Sequence, residues 1–395
     1  MSGIEGSVGE GPHALADVQT PALLIDRAQM RRNIALMAEA VHASGASLRP
    51  HVKTHKSVDV WREVVAGGST RGITVSTLAE AEHFFAHGAG DILYAVGIVP
   101  AKIARVAALL KAGARLTVVV DDAAQAHAIA ETARAQSVVL PVMIEIDVDG
   151  HRAGIRPQSA ELVALAALID ADSALELAGV MTHAGGSYGS ASAEARQAAA
   201  HNEARGCVLA ASRIRDAGMA CPAVSIGSTP TALALGAVAD VDLASVTEVR
   251  AGVYTFFDLV MAGLGVADIG HIALSVLATV IGHQAEKGLL ITDAGWMALS
   301  RDRGTASQAV DQGYGLVCDA AGVPVGDVIV RECNQEHGII AARTPGARMD
   351  LERFPIGSQL RILPNHACAT AAQHARYLVV EQGEIVAQWP RISGW

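Results

Sequence analysis

Aromatic residues are scarce in this chain: Phe, Trp and Tyr together make up 4% of its 395 residues. Its core must therefore be filled by Ala, Val, Ile and Leu, which suits layered parallel sheets. Cysteine is also sparse. The five cysteines (Cys207, Cys221, Cys318, Cys333 and Cys368) are scattered, odd in number and never in CxxC spacing. That argues against a disulfide framework and for a reducing, cytoplasmic setting. No run of about 18 uncharged apolar residues occurs, so no membrane span is expected. Positive charge is in deficit: 30 Lys and Arg against 40 Asp and Glu leave a net charge of −10. Nucleic acid and anionic membrane surfaces are poor partners for such a chain, whereas an anionic small molecule is still compatible with a locally basic pocket. Residues 1–11 are rich in Gly and Glu and lack the basic and apolar regions of a secretory leader.

Hydrophobic residues make up 51% of the chain and charged ones 18%, the balance of a folded protein with a large core. From about residue 22 to 255, short β-rich runs alternate with Ala-rich helical patterns. The expected strands are Ser47–Arg49, Gly72–Ser76, Asp91–Val96, Arg115–Val120, Val142–Asp147, Leu177–His183, Ala223–Ile226 and Glu248–Tyr254. Most are apolar on both faces, as parallel strands covered on each side must be. Between them, Met30, Ile34, Met37 and Val41 recur at helical spacing, and Ala101–Ala112, Ala123–Ala135 and Ala193–Ala217 read as helices, several closed by Gly. About eight such units predict a (β/α)8 TIM-type barrel over residues 27–263, with a doubly wound open sheet as the rival. After about residue 265 the long helices stop. Short runs such as Ile272–Ile281, Gly288–Thr292, Asp327–Arg331, Gly338–Ala342, Gln359–Leu363 and Tyr377–Glu381 alternate with turn residues. They predict a mostly-β domain over 264–395, joined by the N-terminal segment 1–26 through a strand at Pro21–Ile25.

Four features carry chemistry. The first is Arg49-Pro50-His51-Val52-Lys53-Thr54-His55-Lys56, placed directly after the first barrel strand. Barrel active sites lie at the C-terminal ends of strands. A partly buried lysine among basic neighbours has a depressed pKa and reacts as a nucleophile toward aldehydes. The second is Ser225-Ile226-Gly227-Ser228-Thr229-Pro230-Thr231 after the seventh strand, where Gly227, Ser228 and Thr229 offer hydroxyls and accessible amides to a phosphate. Tyr254 is a further hydroxyl near that loop. The third is a set of polar residues at strand ends, Arg152, His183 and Tyr188. The fourth is Pro364-Asn365-His366-Ala367-Cys368-Ala369-Thr370. In a strand, His366 and Cys368 point the same way, and imidazole with thiolate suits zinc and similar divalent metals. Each feature alone also has an ordinary structural reading: a solvated lysine, a polar turn, a hydrogen-bonded histidine, a buried cysteine.

Taken together these segments resemble the pyridoxal-phosphate (PLP) enzymes of the alanine racemase (type III) fold, in the branch of D-serine dehydratase, D-threo-3-hydroxyaspartate dehydratase and D-threonine aldolase. The likeness spans nearly the whole chain. It includes Thr20-Pro21-Ala22, Gly72-Ile73-Thr74-Val75-Ser76-Thr77, Glu145-Ile146-Asp147 with Gly150-His151-Arg152, and Thr182-His183-Ala184-Gly185 with Ser187-Tyr188. It also includes the segments Asp293–Gly304 and Asn334–Gly338. The resemblance implies that Lys53, not Lys56, is the Schiff-base lysine. It implies that Arg152, His183, Tyr188, Gly227, Ser228, Thr229 and Tyr254 surround PLP, and that His366 and Cys368 hold a divalent metal such as Zn²⁺ or Mn²⁺. Glu336 and His337 would shape the metal's surroundings or fix a turn. The His-x-Cys pair is the dehydratase form, where D-threonine aldolases carry His-x-Asp.

The implied reaction is metal-assisted β-elimination. Lys53 removes the α-proton of a D-β-hydroxy amino acid, the metal assists departure of the hydroxyl, and a 2-oxo acid and ammonia result. Arg301 or Arg303 would select a second carboxylate. The rivals are retro-aldol cleavage to glycine and an aldehyde, racemisation, metal-only hydrolysis, and a non-catalytic PLP-binding protein. The resemblance further implies a homodimer.

Overall fold

A computed structural model describes residues 13–68, 70–190 and 192–395; the leaderless reading of residues 1–11 lies outside them. The chain divides into two compact units. One takes in the described residues up to Met30 together with Ile272–Pro390; the other comprises Arg31–His271 and Arg391–Trp395. In this division the N-terminal part of the smaller unit ends at Met30, and the last five residues group with the larger unit.

The larger unit is a parallel barrel. Its strands are Ser47–Pro50, Ile73–Val75, Asp91–Gly97, Arg115–Val120, Leu140–Ile146, Leu175–Thr182, Ala223–Ile226 and Glu248–Ala251. Each pairs in parallel with its sequence neighbour from the second strand onward, and the last pairs back on the first with Val249 opposite Leu48. Bridges from Leu48 to Thr70 and from His51 to Thr74 complete the ring between the first and second strands. An open doubly wound sheet would leave its first and last strands as edges, so this closure removes that rival. Non-aromatic apolar side chains (Leu93, Val119, Met143, Met181 and Ala223) pack as one buried cluster, which is how a chain poor in aromatics fills a barrel. The helix Arg27–Ala43 buries Met30, Ile34, Met37 and Val41 along one stripe. Helices Ile103–Lys111 and Ala193–Asp216 are followed by Gly113 and Gly218 in left-handed conformation, at φ 97° and 87°.

The smaller unit is a ten-stranded, mostly antiparallel sheet. The strand Leu274–Gln284 pairs antiparallel with Leu289–Thr292, with Gln359–Leu363 and with Ala22–Asp26, so the N-terminal strand is built into this sheet. Because Gln359–Leu363 also pairs with Leu316–Cys318, part of the sheet curls into a closed ring. Sequence patterning did not reveal Leu316–Cys318 or Glu384–Pro390. The first is three residues long, and the second carries Gln388 and Pro390 among its apolar residues.

Candidate active site

The first barrel strand ends at Pro50, and the chain turns over residues 51–55. The root of this turn is tied to both neighbouring strands: the His51 N–H donates to Ala251 O at 2.8 Å and the Val52 N–H to Thr74 O at 3.0 Å. The Lys56 N–H closes the turn onto Val52 O at 2.8 Å, with Lys56 itself at φ 48°. Lys53 stands exposed on this turn rather than partly buried. Three of the basic neighbours expected around it are paired or neutral. Arg49 is buried and bound to Glu248 and Asp91, each at 2.8 Å. His55 is buried, and burial pushes its imidazole down to about 3, so it stays neutral. Lys56 pairs with the buried Glu80 carboxylate at 3.0 Å. That ion pair also separates the two lysines, since Lys56 is engaged in holding the turn.

Arg250, in the closing strand Glu248–Ala251, is a buried cation of this region. It is buried, donating to Ser225 Oγ at 2.5 Å and to Thr182 O. Burial, together with the charges of Lys53 and Arg250, holds the His51 imidazole well below its ordinary range. His183 behaves alike: burial pushes it down to about 4, with Lys53, Arg250 and Arg152 acting in the same direction, against its hydrogen bond of 3.0 Å to Gly227 O. Lys53, His51, His183 and Arg250 thus form one electrostatic cluster. In the buried strand Glu248–Ala251, where Glu248 and Arg250 alternate with Val249 and Ala251, the arginine itself was the available signal, because a charge on a buried strand needs partners.

Gly227 links the strand Ala223–Ile226 to the helix Thr229–Ala234 at φ 129°. A Cβ there would come within 2.3 Å of Arg250 O, so only glycine fits. Ser228 caps that helix. Its hydroxyl lies 3.0 Å from the Thr231 hydroxyl and 3.0 Å from that of Ser187, and its N–H donates to Thr231 Oγ1 at 3.0 Å. Both polar groups of Ser228 are thereby engaged within the protein. By contrast, Thr229 Oγ1 and Tyr254 OH are buried without a protein partner. Two buried hydroxyls without a protein partner, one of them at the helix start that follows the glycine turn, fit the oxygens of a phosphate group. Behind the loop, the buried Glu203 accepts the Ala184 N–H at 2.9 Å.

Arg152 and Tyr188 are both exposed. Arg152 lies 3.5 Å from Glu145, and Tyr188 lies with its ring centroid 6.2 Å from that of His183.

In the smaller unit, His366 and Cys368 do not lie on a strand. His366 caps the short helix Ala367–Ala371, and Cys368 is that helix's second residue. They are therefore brought together by a helix start and not by strand alternation. The His366 Nδ1–H donates to Asp302 Oδ2 at 2.7 Å. The tautomer this selects puts the lone pair on Nε2, the arrangement by which a carboxylate orients a metal-binding histidine. Asp302 was not singled out in sequence because 64 residues separate it from His366. Among the described residues, no cluster of three or more His, Cys, Asp or Glu side chains is arranged to hold a metal ion. Glu336 and His337 are exposed in a turn closed by the Asn334 N–H donating to His337 O at 2.8 Å. Arg303 pairs with Asp311 at 2.7 Å and lies over Tyr314, whereas Arg301 is exposed over the Trp296 ring.

Comparison with known proteins gives the family. The alanine racemase N-terminal domain matches residues 25–260, and a serine dehydratase domain matches residues 273–380. D-threo-3-hydroxyaspartate dehydratase of Delftia sp. is 51% identical over 96% of this chain and 99% of its own. D-serine dehydratase of Dictyostelium discoideum is 30% identical over 94% and 96%. The solved structure of the Delftia enzyme superposes with a TM-score of 0.93 at 51% identity, covering 97% of this chain and 100% of that one. That enzyme has also been solved as a cysteine-to-alanine variant in a metal-free form and as a histidine-to-alanine variant. A parallel barrel with a lysine turn at its first strand, a β domain with a His-x-Cys helix start, and matches along almost the entire length lead to one conclusion: the chain belongs to the alanine racemase-fold family of PLP-dependent dehydratases.

Proposed function

We propose that this chain is a PLP- and divalent-metal-dependent ammonia-lyase. Its substrate is a D-configured β-hydroxy amino acid, foremost D-threo-3-hydroxyaspartate with D-serine as the smaller alternative, and its products are a 2-oxo acid and ammonia. The observation that carries this reading is His366, oriented through Nδ1 by Asp302 and two residues from a cysteine. The 51% identical relative is a dehydratase and is known in a metal-free form, which supports it.

The residues fit both groups. PLP would be held covalently by Lys53, with its phosphate at Gly227, Thr229 and Tyr254, and with His183, Tyr188 and Arg152 near the ring. When bound, it supplies an electron sink for the bond broken at the α-carbon. The metal would take His366 Nε2 and Cys368 Sγ, a donor pair that favours Zn²⁺ over harder ions, with Mn²⁺ as the competitor. When bound, it supplies a Lewis acid for the leaving hydroxyl.

The protein's own part is positional and protonic. Lys53 Nζ, on its exposed turn, would take the α-proton once the substrate's amine has replaced it on the cofactor. His51 and His183 are held neutral by burial, so at neutral pH they accept or donate hydrogen bonds without adding charge. Arg250 supplies a fixed cation under the site. Arg301 is the better candidate for a second substrate carboxylate, because Arg303 is already paired with Asp311. We also propose a homodimer in solution.

The deciding experiment incubates purified protein, PLP and Zn²⁺ or Mn²⁺ with D-serine, D-threonine and the 3-hydroxyaspartate isomers. Ammonia and 2-oxo acid are expected in equal amounts. Glycine and aldehyde without ammonia from every substrate would replace this reading with aldol cleavage.

A further inference from the structure

The residues after the β domain return to the barrel unit. Arg391–Trp395 cluster with Arg31–His271, apart from the strand Glu384–Pro390 that precedes them. Their contacts fall on the turn that carries Lys53. The Ile392 N–H donates to Lys56 O at 2.9 Å, and Arg391 Nε donates to His55 O at 3.1 Å. At the far end, Arg105 Nη1 donates to Trp395 O at 3.2 Å, and Arg105 is itself fixed by two bonds to Glu82 at 2.7 and 2.8 Å. Trp395 is 87% exposed, so hydrogen bonds to backbone carbonyls and not burial of the indole tie the segment down.

We infer that this terminal segment is a clamp that positions Lys53, with Arg391 and the Ile392 amide as the positioning groups. This rests on the reading of Lys53 as the PLP-bearing lysine. The turn is held from more than one side. Its upstream root is tied to the barrel through His51 and Val52. Its downstream end holds Lys56 at φ 48°, a conformation unfavourable for a residue with a Cβ, so it persists only when neighbours enforce it. The Glu80 ion pair holds the Lys56 side chain. The tail holds the two successive carbonyls, His55 O and Lys56 O. With both in place, the turn is defined from both ends and the Lys53 Cα has little freedom. A nucleophile held in one place loses less entropy on forming its covalent bond.

The test uses the full-length protein, Lys53→Ala, a deletion of residues 391–395, Arg391→Ala and Trp395→Ala. PLP affinity is read from the visible absorbance of bound PLP, cofactor geometry from visible circular dichroism, and folding from apo-protein melting. We expect the deletion to weaken PLP binding about tenfold and Arg391→Ala about three- to fivefold, matching the loss of two and one hydrogen bonds of ordinary net strength to the lysine turn. Both should reduce the visible dichroism per bound PLP, a change that general loss of stability would not produce. Trp395→Ala keeps its backbone carbonyl and should behave as the unaltered protein. If Arg391→Ala and the deletion bind PLP with unchanged affinity and dichroism, the clamp is overturned while the Lys53 reading stands. If the unaltered protein shows no absorbance band that Lys53→Ala removes, the Lys53 reading itself fails and the clamp with it.

Discussion

Lys53 and Lys56 are chemically alike and three positions apart, and their contacts divide them. Lys56 neutralises Glu80, whose side chain is fully buried, while Lys53 is exposed on the turn. Lys53→Ala should abolish the visible absorbance of bound PLP with little effect on stability. Lys56→Ala should keep the absorbance but lower stability by about 3 kcal/mol, because an unpaired carboxylate is left buried; PLP titration and urea unfolding of both variants check this. The neutral histidines make a second prediction. An unfolded chain protonates its histidines near their ordinary value of 6.5, whereas here His183 holds off to about 4 and His55 to about 3. Between those limits the unfolded state binds more protons, so stability is complete above about pH 6.5 and is lost as pH falls toward 4. Melting temperatures measured from pH 7.5 to 4 should decline through this window, and His183→Asn should make the decline shallower.

At the scale of elements, each site feature is an element end. Lys53 follows a strand, Thr229 opens a helix after a glycine turn, and His366 caps a helix. Element ends leave backbone groups unpaired and let side chains diverge from the regular pattern, which is why chemistry collects there. The turn at Gly227 is the most constrained of these, combining φ 129° with an approach of 2.3 Å to Arg250 O for any Cβ. Gly227→Ala should therefore weaken PLP binding at least tenfold and cost about 2 kcal/mol or more in stability. Pyridoxal without its phosphate should lose less affinity than PLP; equal losses for the two would place the phosphate elsewhere.

At the scale of the whole molecule, the two proposed ligand sets belong to different compact units, Lys53 with Thr229 and Tyr254 in one and His366 with Cys368 in the other. Their losses should separate. Chelation should stop ammonia release while leaving the visible absorbance of bound PLP, and Lys53→Ala should remove the absorbance while leaving metal affinity. Asp302→Asn removes the acceptor that orients His366 and should weaken metal binding about 10- to 100-fold, measured by competition with a chelating dye.

Much of this molecule was written locally. Parallel strands covered on both faces are mostly apolar, so most of the barrel strands could be read from composition runs, and Met30, Ile34, Met37 and Val41 marked a buried helix face by spacing alone. The motifs around Lys53, Gly227 and His366 were equally plain, because each is a short contiguous segment. What the segments could not carry were pairings between distant residues. The crowd of positive charge expected around Lys53 dissolved because Arg49, Lys56 and His55 each met a partner or environment that sequence adjacency does not encode. Arg250 beneath His51 and His183, Asp302 on His366, and Arg391 on the lysine turn are likewise long-range. Local pattern determines which backbone conformation a segment adopts; only the closed tertiary structure decides which charges and donors meet, since those distances are set by packing and not by position along the chain.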